Sequence, residues 1–192
     1  SANWVTTEYN NQSDPATFFT VSAASTHSAY EFEVCEGDTV TYSVPDVFNS
    51  YTWTVTDGNI ISGDNTNSVD IVWSASGDIS LEVTNAAGCT NTSPAYTVTL
   101  HPLPVAAISG ADTVCPGNTE TYSITSLANH TYAWTVSGGS ITNHNSDTQK
   151  EITWSSGSDT LIVVAVTNNT TGCTLYDTLD VVIGDFEAPV FD

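Results

Sequence analysis

Cysteine has the widest chemical repertoire of any residue in this chain, and it occurs at four positions, Cys35, Cys89, Cys115 and Cys173. Thiolates ligate metals, attack as nucleophiles or oxidise to disulfides, and sequence spacing separates these uses. No C-x-x-C pair is present, and His27, His101, His130 and His144 are too scattered to complete a zinc site. Serine is abundant, yet no G-x-S-x-G occurs and no histidine stands in a recognisable nucleophile motif. Carboxylates are spread along turns instead of being paired for acid–base work. The residues therefore point away from catalysis. Disulfide formation, and with it an oxidising extracellular setting, is the chemistry left to the cysteines.

Carboxylates are the second resource. Asp and Glu total 22 against a single basic residue, Lys150, giving a formal charge of −21. Such a surface has nothing to displace counterions from nucleic acid or to grip an anionic membrane, which excludes both as partners. It attracts cations instead, and Ca2+ is the cofactor it would take. The candidate metal donors are Asp57, Asp78, Asp112 and Asp185, with Asp64, Glu187 and Asp192 as further turn or exit acids. None has the spacing of an EF-hand loop, and solvated turn acids that keep the protein soluble are the alternative reading. No stretch reaches the roughly eighteen apolar residues a membrane helix needs, and the first ten residues lack a basic segment followed by an apolar one, as if an export signal were removed or lay elsewhere.

These residues are positioned by a repeat. "VCEGDTVTYSV" at 34–44 returns as "VCPGNTETYSI" at 114–124, and "YTWTVTDGNI" at 51–60 returns as "YAWTVSGGSI" at 132–141. Trp73 matches Trp154, Asp78 matches Asp159, and "VTNAAGC" at 83–89 matches "VTNNTTGC" at 166–173. Differences in length fall between apolar runs, as expected of two folded copies of one module. In "TVTYSV" Val40, Tyr42 and Val44 alternate with Thr and Ser, and "YTWTV" alternates in the same way, so both are half-buried strands. Further strands are expected at 69–73, 79–83 and 95–100, bounded by Gly, Asp, Asn and Ser turns. Six or seven short strands per module, without a helix of useful length, predict an all-β chain of two tandem immunoglobulin-like β-sandwiches.

The expected boundaries are 1–15 for a leader or the tail of something preceding, 16–104 and 105–184 for the two domains, and 185–192 for the start of a following domain or a linker. "HPLPVAAIS" at 101–109 reads as a short stiff linker between the domains. Trp53, Trp134, Trp73 and Trp154 recur at matched positions and are read as core, whereas Trp4, Tyr9 and Tyr30 fall outside the repeat and are candidates for a contact surface.

The quoted phrases resemble the PKD-like repeats found in tandem in large surface and secreted proteins of the Bacteroidota, many of them exported by the type IX secretion system. The resemblance covers roughly residues 16–184. It implies a non-catalytic structural or adhesive segment at the bacterial cell surface, as in a gliding adhesin or surface filament, with an accessory spacer or carbohydrate-binding module of a secreted polysaccharide-degrading enzyme as the alternative. The partners it implies are neighbouring repeats of the same long chain and surface glycans or other cell-surface proteins. Four Asp-Thr-hydrophobic triplets look like the O-glycosylation signal of that bacterial group and would place sugar on Thr39, Thr113, Thr160 and Thr178.

Each copy owns two cysteines, so Cys35–Cys89 and Cys115–Cys173 are the simple pairings. Topology favours another. Cys35 precedes the second strand and Cys89 follows the sixth, and in an immunoglobulin-like sandwich those positions lie at opposite poles, about 20 Å apart for strands of about six residues. A disulfide needs Cα atoms within about 7 Å. End-to-end stacking of modules instead brings Cys35 towards Cys173, and this crossing pair is the expectation set against the two intramodule bonds.

Overall fold

The computed structural model describes residues 20–23, 32–155 and 160–184, and it divides into two units between Pro102 and Leu103. The first unit contains β1 (Thr20–Ala23), β2 (Glu33–Cys35), β3 (Thr39–Ser43), β4 (Ser50–Val55), β5 (Gly58–Ser62), β6 (Ser68–Trp73), β7 (Gly77–Thr84), β8 (Thr90–Thr92) and β9 (Tyr96–His101). One sheet runs β1-β3-β6-β5; the other runs β2-β9-β7-β4, with β8 paired to β7. Strand β2 lies parallel to β9, while the other pairs are antiparallel.

The second unit repeats this plan with β10 (Ile108–Ser109), β11 (Thr113–Val114), β12 (Thr119–Ile124), β13 (His130–Ser137), β14 (Gly139–Ser146), β15 (Gln149–Trp154), β16 (Leu161–Asn168), β17 (Thr174–Asp180) and β18 (Val182–Ile183). Its sheets are β10-β12-β15-β14 and β13-β16-β17, with β11 parallel to β18. The structure departs from the expected count because strands are broken. Ser93 and Pro94 interrupt the last strand of the first unit, and Pro removes a ladder donor there. The expected linker is also shorter than 101–109: His101 ends β9 and Ile108 begins β10.

Alternation builds the cores. In the first, Val40 and Tyr42 of β3 stand beside Val69, Ile71 and Trp73 of β6 on the inner face of one sheet, and Tyr51, Trp53, Ile79, Leu81, Val83 and Val98 close the core from the other. In the second, Tyr122, Ile124, Ile152 and Trp154 meet Ile162, Val164 and Val166. Three of the four matched tryptophans are buried as expected; Trp134 is only half-buried at the sheet margin, where its indole N–H donates to the Asp147 carbonyl at 2.8 Å.

The repeated Tyr and Trp form one buried device in each copy. The Trp73 indole N–H donates to Tyr42 Oη at 3.2 Å with the rings edge-to-face, and Trp154 does the same to Tyr122 at 3.0 Å. Tyr122 passes the chain on, donating to the Ala111 carbonyl at 2.8 Å. Gly58 and Gly139 are required beside this pair, because a Cβ would meet the Trp73 or Trp154 ring at 3.0 or 2.9 Å. The Gly of the repeated C-x-G turn has a different cause: Gly37 and Gly117 hold φ of +84° and +82°, the left-handed region that side chains disfavour.

A second tyrosine caps each sandwich. The Phe48 N–H donates to Tyr51 Oη at 3.0 Å, and the Leu127 N–H donates to Tyr132 Oη at 2.6 Å, tying the preceding loop down. The repeated Asn staples the next loop: Asn85 Oδ1 accepts the N–H of Ala87 and Cys89, and Asn168 Oδ1 accepts those of Thr170 and Thr171.

Tyr122→Phe leaves the buried Trp154 N–H without its acceptor, a loss of about 1–3 kcal/mol. Calorimetry on this variant is expected to show the second unit's melting temperature lowered by several degrees, and an unchanged transition would count against the role given to the pair. Burial raises the Tyr42 phenol from its usual 10.0 to about 12, partly offset by the Trp73 hydrogen bond, and burial raises Tyr122 in the same direction. The fold thus favours the neutral phenol, so its stability is intact below pH 10 and declines as pH climbs from 10 towards 12. Denaturant melts across that window are expected to show a falling midpoint that Tyr42→Phe makes less steep.

Candidate functional site

The sequence candidates separate into groups the structure treats differently. Cys35 and Cys173 are buried and disulfide-bonded, whereas Cys89 and Cys115 are exposed thiols. Asp57, Asp78 and Asp112 are exposed, and Asp185 lies outside the described residues, as do Trp4, Tyr9 and Tyr30. Asp57 is spent on backbone geometry: it holds φ of 59°, and its carbonyl accepts the N–H of Ser74 at 3.0 Å. Asp78 accepts the Thr97 hydroxyl at 2.7 Å and Asp112 that of Thr113 at 3.3 Å. Among the described residues no three His, Cys, Asp or Glu side chains come together as a metal-holding group.

Of the glycosylation candidates, Thr39, Thr113 and Thr178 are exposed. Thr160 is not available: it is buried and its hydroxyl donates to the Val181 carbonyl, so a sugar there would have to displace packed core. This removes one of the four expected positions.

Electrostatics sharpen the acidic reading. The only Lys or Arg, Lys150, is itself 94% buried by its 6% exposure, with Nζ donating to the Ser146 carbonyl. It occupies the position that Val69 fills in the first copy, facing inward from β15. No lysine or arginine therefore remains on the surface to balance its carboxylates. Asp70 shows how individual acids are held: Ser62 and then Thr41 donate to its two oxygens at 2.5 and 2.6 Å, keeping its carboxyl below the usual range.

The two copies differ on one outer face. In the first unit β7 turns Asp78, Ser80 and Glu82 outward. Strand register, with Val55 opposite Ile79 and Val136 opposite Ile162, puts Leu161, Val163 and Ala165 of β16 at the matching positions, so Asp78 corresponds to Leu161 and not to Asp159 as the sequence repeat suggested. Across the sheet, Ala165 pairs with Ala133 on β13 and with Tyr176 on β17, and Val163 pairs with Thr135 and Thr178. Tyr176 is 68% exposed. The neighbouring row is hydroxylic, with Thr167 and Thr174 Oγ1 atoms 2.8 Å apart. Among the described residues, Asp180, opposite Leu161, is the carboxylate on this face, at its end. The sequence reading missed this surface. Its signal was the run "LIVVAV" at 161–166, which breaks the alternation by being apolar on both faces.

Comparison with solved structures gives alignments at low identity. The fibronectin(III)-like modules of Clostridium thermocellum CbhA align at 10% identity over 90% of this chain and 100% of that one, with a TM-score of 0.36. Invasin, a bacterial integrin-binding protein, aligns at 13% identity over 86% of this chain and 40% of its own, TM-score 0.30. SGBP-B of a Bacteroides ovatus mixed-linkage glucan utilization locus, in complex with a mixed-linkage heptasaccharide, aligns at 18% identity over 83% of this chain and 45% of its own, TM-score 0.25. No curated protein matches. The PKD-like domain model matches twice, over residues 15–99 and 101–181, and with the duplicated Tyr–Trp cores and sheet order it establishes that this chain belongs to the PKD-like domain family as two tandem copies.

Proposed function

We propose that this chain is a non-catalytic structural segment of a bacterial cell-surface or secreted protein, of the kind found in adhesins and surface filaments. The observation that carries the reading is what the repeat preserves. Tyr42 and Tyr122, Trp73 and Trp154, the capping Tyr51 and Tyr132, and the loop-stapling Asn85 and Asn168 all pack or tie the module together. A duplicated enzyme would repeat reactive groups; this duplication repeats masonry. The acidic exterior suits an exported protein that must stay dispersed, and oxidised cysteines suit an oxidising compartment.

The pairing that topology favours, Cys35 with Cys173, belongs to this proposal, because a covalent tie between successive repeats transmits tension that an untied linker would turn into hinging. Export by a type IX system in a member of the Bacteroidota, and a part in gliding, complete the finer reading on the strength of the resemblance alone. Non-reducing peptide mapping is expected to link the Cys35 and Cys173 peptides, while Cys89 and Cys115 react with maleimide in the native protein. Recovery of Cys35–Cys89 and Cys115–Cys173 would remove the mechanical part. Antibodies to the chain are expected to label intact cells of the source bacterium, and turnover of glycoside, ester or peptide substrates by the purified chain would overturn the non-catalytic reading.

A further inference from the structure

We propose that the outer face of the β13-β16-β17 sheet is a docking platform for an uncharged polysaccharide. The inference goes beyond the structural role, since the same module plan in the first unit does not carry the feature. There the corresponding face is acidic, and its hydroxyls are turned towards carboxylates: Thr97 donates to Asp78 at 2.7 Å and Thr92 to Glu82 at 3.4 Å. In the second unit the position of Glu82 is Ala165 and that of Thr92 is Tyr176. Two alanines in one cross-strand row, Ala133 and Ala165, leave the Tyr176 ring standing beside low side chains, with the ring exposed.

Charge selects the ligand class. The chain carries −21, and its one lysine is buried, so an anionic polymer meets repulsion with no counter-charge. A neutral sugar chain meets a face on which, among the described residues, the one carboxylate is Asp180 at its end. Its apolar C–H surfaces can stack on Tyr176 and lie over Val163, while its hydroxyls meet threonine hydroxyls on the flanking strands.

Size separates this occupant from a second copy of the protein. Three strands about 4.8 Å apart, two of eight residues and one of seven at about 3.3 Å each, make a platform of roughly 14 by 25 Å. That is about half of the ~800 Å² per partner that a stable protein interface buries. A second copy would also bring the same unbalanced charge. A flat neutral ligand needs neither a larger area nor a compensating cation.

Native affinity electrophoresis of the full chain through gels containing hydroxyethylcellulose, galactomannan or dextran, with alginate as the anionic control, tests the assignment. Retardation is expected in at least one neutral gel and not in alginate. Tyr176→Ala should raise the apparent Kd at least tenfold, and Val163→Glu should abolish retardation, each with an unchanged melting temperature; Thr92→Ala on the first unit should leave it intact. Failure of every neutral polymer to retard the chain, or equal retardation of Tyr176→Ala, would overturn the proposal. So would sedimentation showing a dimer that strengthens with salt and is lost in Tyr176→Ala, which would assign the face to a second copy.

Discussion

The buried contact between one tryptophan and one tyrosine is the constraint around which each module is organised. An indole N–H taken out of water without a partner costs more than most single packing contacts return, so the residue opposite Trp73 must present an acceptor. Tyr42 meets that need with a large apolar body and one polar atom. Once the two rings are set edge-to-face, little freedom remains nearby. Glycine must stand at 58, and β3 and β6 must pair in the register that places Tyr42 opposite Val69 and Trp73 two side chains away on the same face. The second copy solves the same problem with the same residues at 122, 154 and 139.

With the interior fixed, the exterior is free to diverge, and the two units use that freedom in different directions. The outward positions of β7 carry Asp78 and Glu82, which keep the first unit hydrated and repel other anions. Those of β16 carry Leu161, Val163 and Ala165. Neither choice disturbs the inward alternation of Ile79, Leu81 and Val83 or of Ile162, Val164 and Val166. The inward position of Lys150, where the first copy has Val69, shows the tolerance reaching even the end of the core, since a carbonyl at Ser146 receives the ammonium group.

Much of this was legible in the sequence because period-two alternation is a local signal. "TVTYSV" announces which side chains face inward, and repetition of the phrase at 114–124 announces that the same answer recurs. The hydrogen bond between Tyr42 and Trp73 was not legible, because it joins residues 31 positions apart through strand register. The burial of Thr160 was also hidden: its triplet looks like any other Asp-Thr-hydrophobic signal, and only the backbone carbonyl of Val181 beside it explains why it faces inward. The exposed Tyr176 escaped notice because β17 places an aromatic outward and Asp177 at the inward position opposite Val164, an inversion that sequence alternation does not resolve; its meaning comes from the alanines beside it. The metal candidates were chosen by residue type, and type alone does not report that Asp57, Asp78 and Asp112 serve separate turns and hydroxyls.

Proton exchange at the two indole nitrogens tests the organising claim most directly. In a two-dimensional NMR experiment, the account predicts that the Trp73 and Trp154 N–H signals are among the slowest in the protein to exchange with deuterium, disappearing only as each unit unfolds globally. Exchange at the rate of an exposed indole, in a chain that is otherwise folded, would contradict it.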